Sequence, residues 1–130
     1  MKVELRPGLQ GRAEAIVDTT NVAAVMGSGD LDFFATPAMI ALMEQAACNA
    51  ILPCLDSSTS SVGIKMDTIH EAATLLGKKI IATAKLIAVE GRKLTFKVGA
   101  CDDHGPIGNG THERFIIDKA KFIAKLQSKR

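Results

Sequence analysis

The order of segments in this 130-residue chain predicts an α+β fold, a curved antiparallel sheet wrapped around one long central helix. Three observations carry that expectation. The helical stretch at residues 37–52 is apolar on nearly every side, four period-two segments follow it in close succession, and no second helix separates those strands. A ferredoxin-like sandwich would need that second helix, so the wrapped helix is the better solution.

The elements follow in order. Residues 12–26 alternate loosely and read as an irregular first strand, broken by Gly27-Ser28-Gly29-Asp30. Leu31-Asp32-Phe33-Phe34-Ala35 is a short connector. Thr36-Pro37 is a helix start, with Thr as N-cap and Pro at the first helical position, and Pro53 argues for the stop. After the polar loop Asp56–Ser61, residues 62–71 form a strand that places Val62, Ile64, Met66, Thr68 and His70 on one face. Residues 80–89 and 94–101 form a hairpin around Glu90-Gly91. A loop at Asp102–Pro106 leads to a last strand at 107–118, and the lysine-rich tail reads as a solvated helix end.

A sheet that curls about a helix in this way is the hot dog architecture. Its free outer edge, and whatever helix surface the sheet leaves bare, are most simply covered by a second copy of the chain, so a homodimer or higher assembly is expected.

Composition bounds the function. With 47% hydrophobic and 23% charged residues the chain matches an ordinary globular protein, and at this length it forms one domain over residues 1–130. A formal net charge of +2 is too small to imply nucleic acid. The helix at 37–52 is shorter than the ~20 apolar residues a bilayer requires and contains Glu44, so no membrane span is expected. Met1–Gly8 lacks the apolar core of a secretory signal. Cys48, Cys54 and Cys101 are odd in number and without metal-ligand spacing, which fits reduced thiols in a cytoplasmic protein with no metal site.

Chemistry concentrates on three residues. Glu44 places a carboxylate at the centre of the apolar helix, where burial without a partner is costly and would raise its basicity. Thr36 lies eight residues earlier, about 12 Å along a helix, too far for a direct hydrogen bond to Glu44 within one chain. The two would converge through a substrate or across a dimer interface. His70 shares its strand face with Val62, Ile64 and Met66, so it points toward the helix, where an imidazole suits acid/base work near neutral pH. Taken singly, Thr36 reads first as a helix cap and His70 first as a satisfied core or interface histidine.

Thr36-Pro37, Leu42-Met43-Glu44-Gln45-Ala46-Ala47-Cys48 and Thr68-Ile69-His70-Glu71-Ala72-Ala73-Thr74 resemble the hot dog thioesterases of the fluoroacetyl-CoA thioesterase type. Val89-Glu90-Gly91-Arg92-Lys93-Leu94 and the run from Ile107 to Arg114 extend the resemblance over nearly the whole chain. It implies acyl-CoA as substrate, hydrolysis to free acid and CoA without a further cofactor, and a catalytic Thr36, Glu44 and His70 at a dimer interface. Fluoroacetyl-specific members place aromatic residues in a lid before the helix, whereas Met26–Asp30 has none, so another short or medium acyl group is expected.

Around these three, Gly63 lets a backbone N–H approach the thioester oxygen or marks only a bulge, Arg114 holds a CoA phosphate or a glutamate or is a surface charge, and Phe33 and Phe34 flank the substrate or belong to the core. Two other functions fit the same fold: a non-hydrolytic acyl-CoA-binding protein, and a hydratase or dehydratase pairing His with an acid.

Overall fold

The computed structural model describes residues 3–129. In chain order, β1 (Gln10–Ile16) precedes a single helical turn, α1 (Ala23–Met26), and the long helix α2 (Thr36–Ile51), which ends in a 3-10 turn at Leu52–Cys54. Four strands follow, β2 (Thr59–His70), β3 (Lys79–Glu90), β4 (Lys93–Asp102) and β5 (Gly105–Asp118), and then α3 (Lys119–Gln127).

The strands form one antiparallel sheet in the order β1-β3-β4-β5-β2. Alternation sets its faces: Ile80, Ala82, Ala84 and Leu86 of β3 and Leu94, Phe96, Val98 and Ala100 of β4 are buried while their neighbours face out. Against them α2 lays Met39, Met43, Ala46, Ala47, Ala50 and Ile51. Each large side chain buried there contributes about 1.5–3 kcal/mol. The helix meets β1 closely because Gly11 has no side chain; a Cβ there would overlap the Ala46 carbonyl oxygen and the Ala50 nitrogen. This is the curled sheet around a central helix that the sequence predicts.

Three expectations change. The first strand stops at Ile16, because Asp18 and Asn21 turn the chain with side-chain bonds: Thr20 N–H donates to Asp18 Oδ1 at 2.8 Å and Asp18 N–H to Asn21 Oδ1 at 2.9 Å. The helix is not enclosed all round: Ala41, Gln45 and Asn49 are exposed and Glu44 is half-buried, since five strands curl over one side only. Finally, β2 does not keep one alternation throughout. Its register against β5 shifts between Gly63 and Lys65, so Ser61 and Gly63 join Met66, Thr68 and His70 on the helix side, while Val62 and Ile64 line the opposite, outer face.

The hairpin forms as expected, with Glu90 paired to Lys93 and Gly91 at φ 63°. β2 is an edge strand, and its 12 residues pair only with β5.

Candidate active site

Thr36 is the first residue of α2, and His70 is the last of β2. The cap position is Ala35, whose methyl cannot accept a hydrogen bond, so Thr36 is not the expected N-cap. Its hydroxyl instead shares a 2.8 Å hydrogen bond with His70 Nδ1 of the same chain. Burial holds His70 below the ordinary histidine value of 6.5, opposed by the Ala72 backbone, so the ring is neutral near pH 7. Its Nε2 is buried with no hydrogen-bond partner, the one such side-chain atom among the described residues. An orphaned buried donor or acceptor is the kind of group that a substrate satisfies.

Glu44 is not the unpartnered acid that the sequence suggested. Arg114 Nη1 donates to its Oε2 at 3.1 Å, and His112 Nε2 lies 3.8 Å from the same oxygen. Arg114 is 6% exposed and is held by Ser61 as well: Nε donates to Ser61 Oγ at 2.8 Å and Nη2 to the Ser61 carbonyl at 3.0 Å. Of the roles expected for Arg114, the structure shows the contact to a glutamate, and at 6% exposure the side chain is not a surface charge.

His112, 1% exposed, completes the cluster. Its Nδ1–H donates to the Lys65 carbonyl at 2.7 Å, which leaves Nε2 as the acceptor for Arg114 Nη1 at 3.2 Å. Burial pushes this histidine below 6.5, the Lys65 carbonyl opposes that, and the Arg114 charge adds to it, so the ring is a neutral prop. Phe96 stacks against it, with ring centres 6.2 Å apart. His112 and Arg114, two residues apart on β5, share one strand face and are both buried. Their convergence on Glu44, far earlier in the chain, is a tertiary fact that no spacing rule reports.

Gly63 lies beneath this group. A Cβ there would overlap Glu44 Oε2 and come within 3.3 Å of Arg114 Nη1 and His112 Cε1. Its open space is therefore occupied by the carboxylate. Phe34 is 1% exposed and packs in the core. Phe33 is half-buried and, with Thr36, His70, Glu71 and Ala72, lines a cavity of about 180 Å³. An aromatic wall thus reaches the Thr36–His70 pair from the connector rather than from 26–30.

Two constellations result, Thr36–His70 and Glu44–Arg114–His112, about 12 Å apart along α2. Among the described residues, no three His, Cys, Asp or Glu side chains group as they would to hold a metal ion, the three cysteines are free, and no helix is long and apolar enough to cross a membrane.

A sheet curled about one helix, with a Thr–His pair at the helix start and a carboxylate midway along it, defines a hot dog protein of the thioesterase type. Comparison with known proteins narrows this. The family model described as fluoroacetyl-CoA-specific thioesterase, FlK, matches residues 17–120. The chain is 43% identical over 98 residues to the fluoroacetyl-CoA thioesterase of Streptantibioticus cattleyicolor, covering 75% of this chain and 70% of that one. Among solved structures, a mutant of the fluoroacetyl-CoA-specific thioesterase FlK superposes with a TM-score of 0.91 at 34% identity, over 99% of this chain and 100% of that one. A thioesterase superfamily member from Thermus thermophilus gives 0.88 at 27% identity, over 96% and 93% of the two chains. The chain belongs to the fluoroacetyl-CoA-specific thioesterase (FlK) family.

Proposed function

We infer that this chain is an acyl-CoA thioesterase, hydrolysing a thioester to a free acid and CoA, with Thr36, Glu44 and His70 as its catalytic residues. The observation that carries the assignment of residues is the Thr36–His70 bond with the unpaired Nε2 beyond it.

When the Thr36 hydroxyl donates to Nδ1, the imidazole proton sits on Nε2, and a neutral His70 presents that N–H to the thioester oxygen as charge develops on it. Glu44 then acts in one of two ways. As general base it takes a proton from water as the water oxygen bonds to the acyl carbon; the C–S bond breaks, and the departing CoA thiolate takes a proton back from the Glu44 carboxyl. As nucleophile its carboxylate bonds to the acyl carbon and expels the thiolate, giving an anhydride that water cleaves. Arg114 and His112 are positioning residues, since they reach the reaction only through Glu44.

One chain holds the two constellations too far apart to serve one thioester, and β2 has a free edge. Both points support a homodimer formed by antiparallel pairing of two β2 strands. A register centred near Met66 sets His70 of one protomer opposite residues 62–63 of its partner, beside the partner's Glu44. The acyl group is a short one other than fluoroacetyl, in keeping with the small cavity at Phe33 and an aromatic-free 26–30 segment. The enzyme works in the cytoplasm, with no nucleic acid or membrane partner and no cofactor.

The test is thiol release from a panel of acyl-CoAs of graded length, fluoroacetyl-CoA included, with wild type, Glu44→Ala and Thr36→Ala. Binding without release of CoA from any of them would make the chain a carrier, and water addition to an enoyl-CoA with no free thiol would make it a hydratase.

A further inference from the structure

On the outer face of the sheet, away from Glu44 and His70, a groove of about 710 Å³ runs between α3 and strands β2 and β5. That volume lies within the ~300–1,000 Å³ of small-molecule sites. Val62, Ile64 and Phe115 form its floor, with Ile64 51% and Phe115 38% exposed. Phe122 and Leu126 of α3 line its wall, yet α3 buries no residue completely. Apolar surface left open in a trough marks a binding site more often than a scattered apolar residue does.

The rim is cationic. Lys121 and Lys125 lie one turn apart on α3 beside Phe122 and Leu126, Lys129 follows just past the helix end, and Arg92 stands among the lining residues. Among the described residues none of these four has an ion-pair partner within 4.0 Å. The lining carboxylate, Asp118, caps α3 by accepting from the Lys121 N–H at 3.0 Å. Like charges at this spacing oppose the helix that carries them, and an anion along the row relieves that repulsion.

We propose that this groove binds a single-chain anionic amphiphile, a fatty carboxylate, with its hydrocarbon on Val62, Ile64, Phe115 and Leu126 and its head group among Lys121, Lys125 and Arg92. A second copy is disfavoured because the same cationic rim would face itself. A planar membrane is disfavoured because the apolar floor of Val62, Ile64 and Phe115 is recessed between α3 and the sheet. The proposal is independent of the catalytic reading, and its readout is binding rather than turnover.

Calorimetric titration of the full chain with dodecanoate below its micellar concentration tests it. The expected result is one site per chain, weakened about tenfold or more both by the pair Lys121→Glu and Lys125→Glu and by Leu126→Asn, with circular dichroism unchanged. Thr36→Ala binds as wild type does. Each of these results overturns the proposal: equal affinity in the rim and floor variants; loss of binding in Thr36→Ala, which would place the hydrocarbon in the catalytic cavity; equal binding of dodecyl maltoside; or displacement by free CoA. Capture only by anionic phospholipid vesicles, with no binding of monomeric dodecanoate, would overturn it in favour of a membrane surface.

Discussion

Gly63→Ala separates placement of Glu44 from stability of the fold. The added methyl would overlap Glu44 Oε2, and it would also press Arg114 Nη1 and His112 Cε1 at 3.3 Å. The Glu44 side chain is 40% exposed, whereas Arg114 is 7% exposed, so the carboxylate yields, swinging outward by about the ångström that two atoms in contact require. The 3.1 Å bond from Arg114 is lost or bent. Crowding costs about 1–3 kcal/mol, reduced here because the tip of a flexible side chain gives way. The loss of freedom in the unfolded chain returns about 0.4–1 kcal/mol. The net change is about 1 kcal/mol or less, a few degrees in Tm. Activity is more sensitive, because a catalytic group displaced by about 1 Å loses ~100-fold in rate, about 2.7 kcal/mol of barrier. Thermal unfolding and acyl-CoA thiol release on one preparation check both halves. The N–H of residue 63 survives the substitution, so if Gly63 acted only through that N–H, activity would persist. A folded Gly63→Ala enzyme with wild-type kcat/KM would refute the placement argument.

Gly11→Ala should behave oppositely, because its Cβ meets the α2 backbone at Ala46 and Ala50, which cannot swing away. We expect a loss of about 1–3 kcal/mol in denaturant unfolding, with residual activity tracking the folded fraction. Thr36→Ala should lower kcat about 100-fold while Thr36→Ser retains most of it, since both wild type and the serine variant place a hydroxyl on His70 Nδ1; equal losses would argue against that hydroxyl. Mixing Thr36→Ala and Glu44→Ala dimers should restore about a quarter of wild-type activity, because half the reassorted dimers carry one intact shared site. Sites built within one chain would restore nothing. Stability should fall as pH drops below about 6.5, because unfolded His70 and His112 take up protons there that their folded, depressed values resist. The unfolded state then binds more protons, so stability rises with pH through this window, and His112→Gln should flatten that slope in urea melts at pH 5 and 7.

Much of this protein is legible in local pattern. Period-two alternation gives β3, β4 and β5 to within two residues of their observed ends, Glu90-Gly91 gives the hairpin, and Pro37 and Pro53 bracket the long helix, because each depends on neighbours in the chain. Thr36, Glu44 and His70 stand out for their residue types and for the motifs around them. The remainder depends on contacts between distant segments. One extra residue at the β2 bulge reverses the side-chain alternation there, bringing Gly63 to the helix side and Val62 and Ile64 to the outer face, and no alternation count reveals a bulge. Thr36 resembles an N-cap until the fold places His70 2.8 Å away. Glu44 resembles an orphan until β5 delivers Arg114, itself held by Ser61 and propped by a neutral His112. Composition and periodicity determined what this chain would bury, because burial follows from single side chains. Which polar groups would meet was decided by the sheet's curl and register, because a hydrogen bond needs two partners and the sequence names them one at a time.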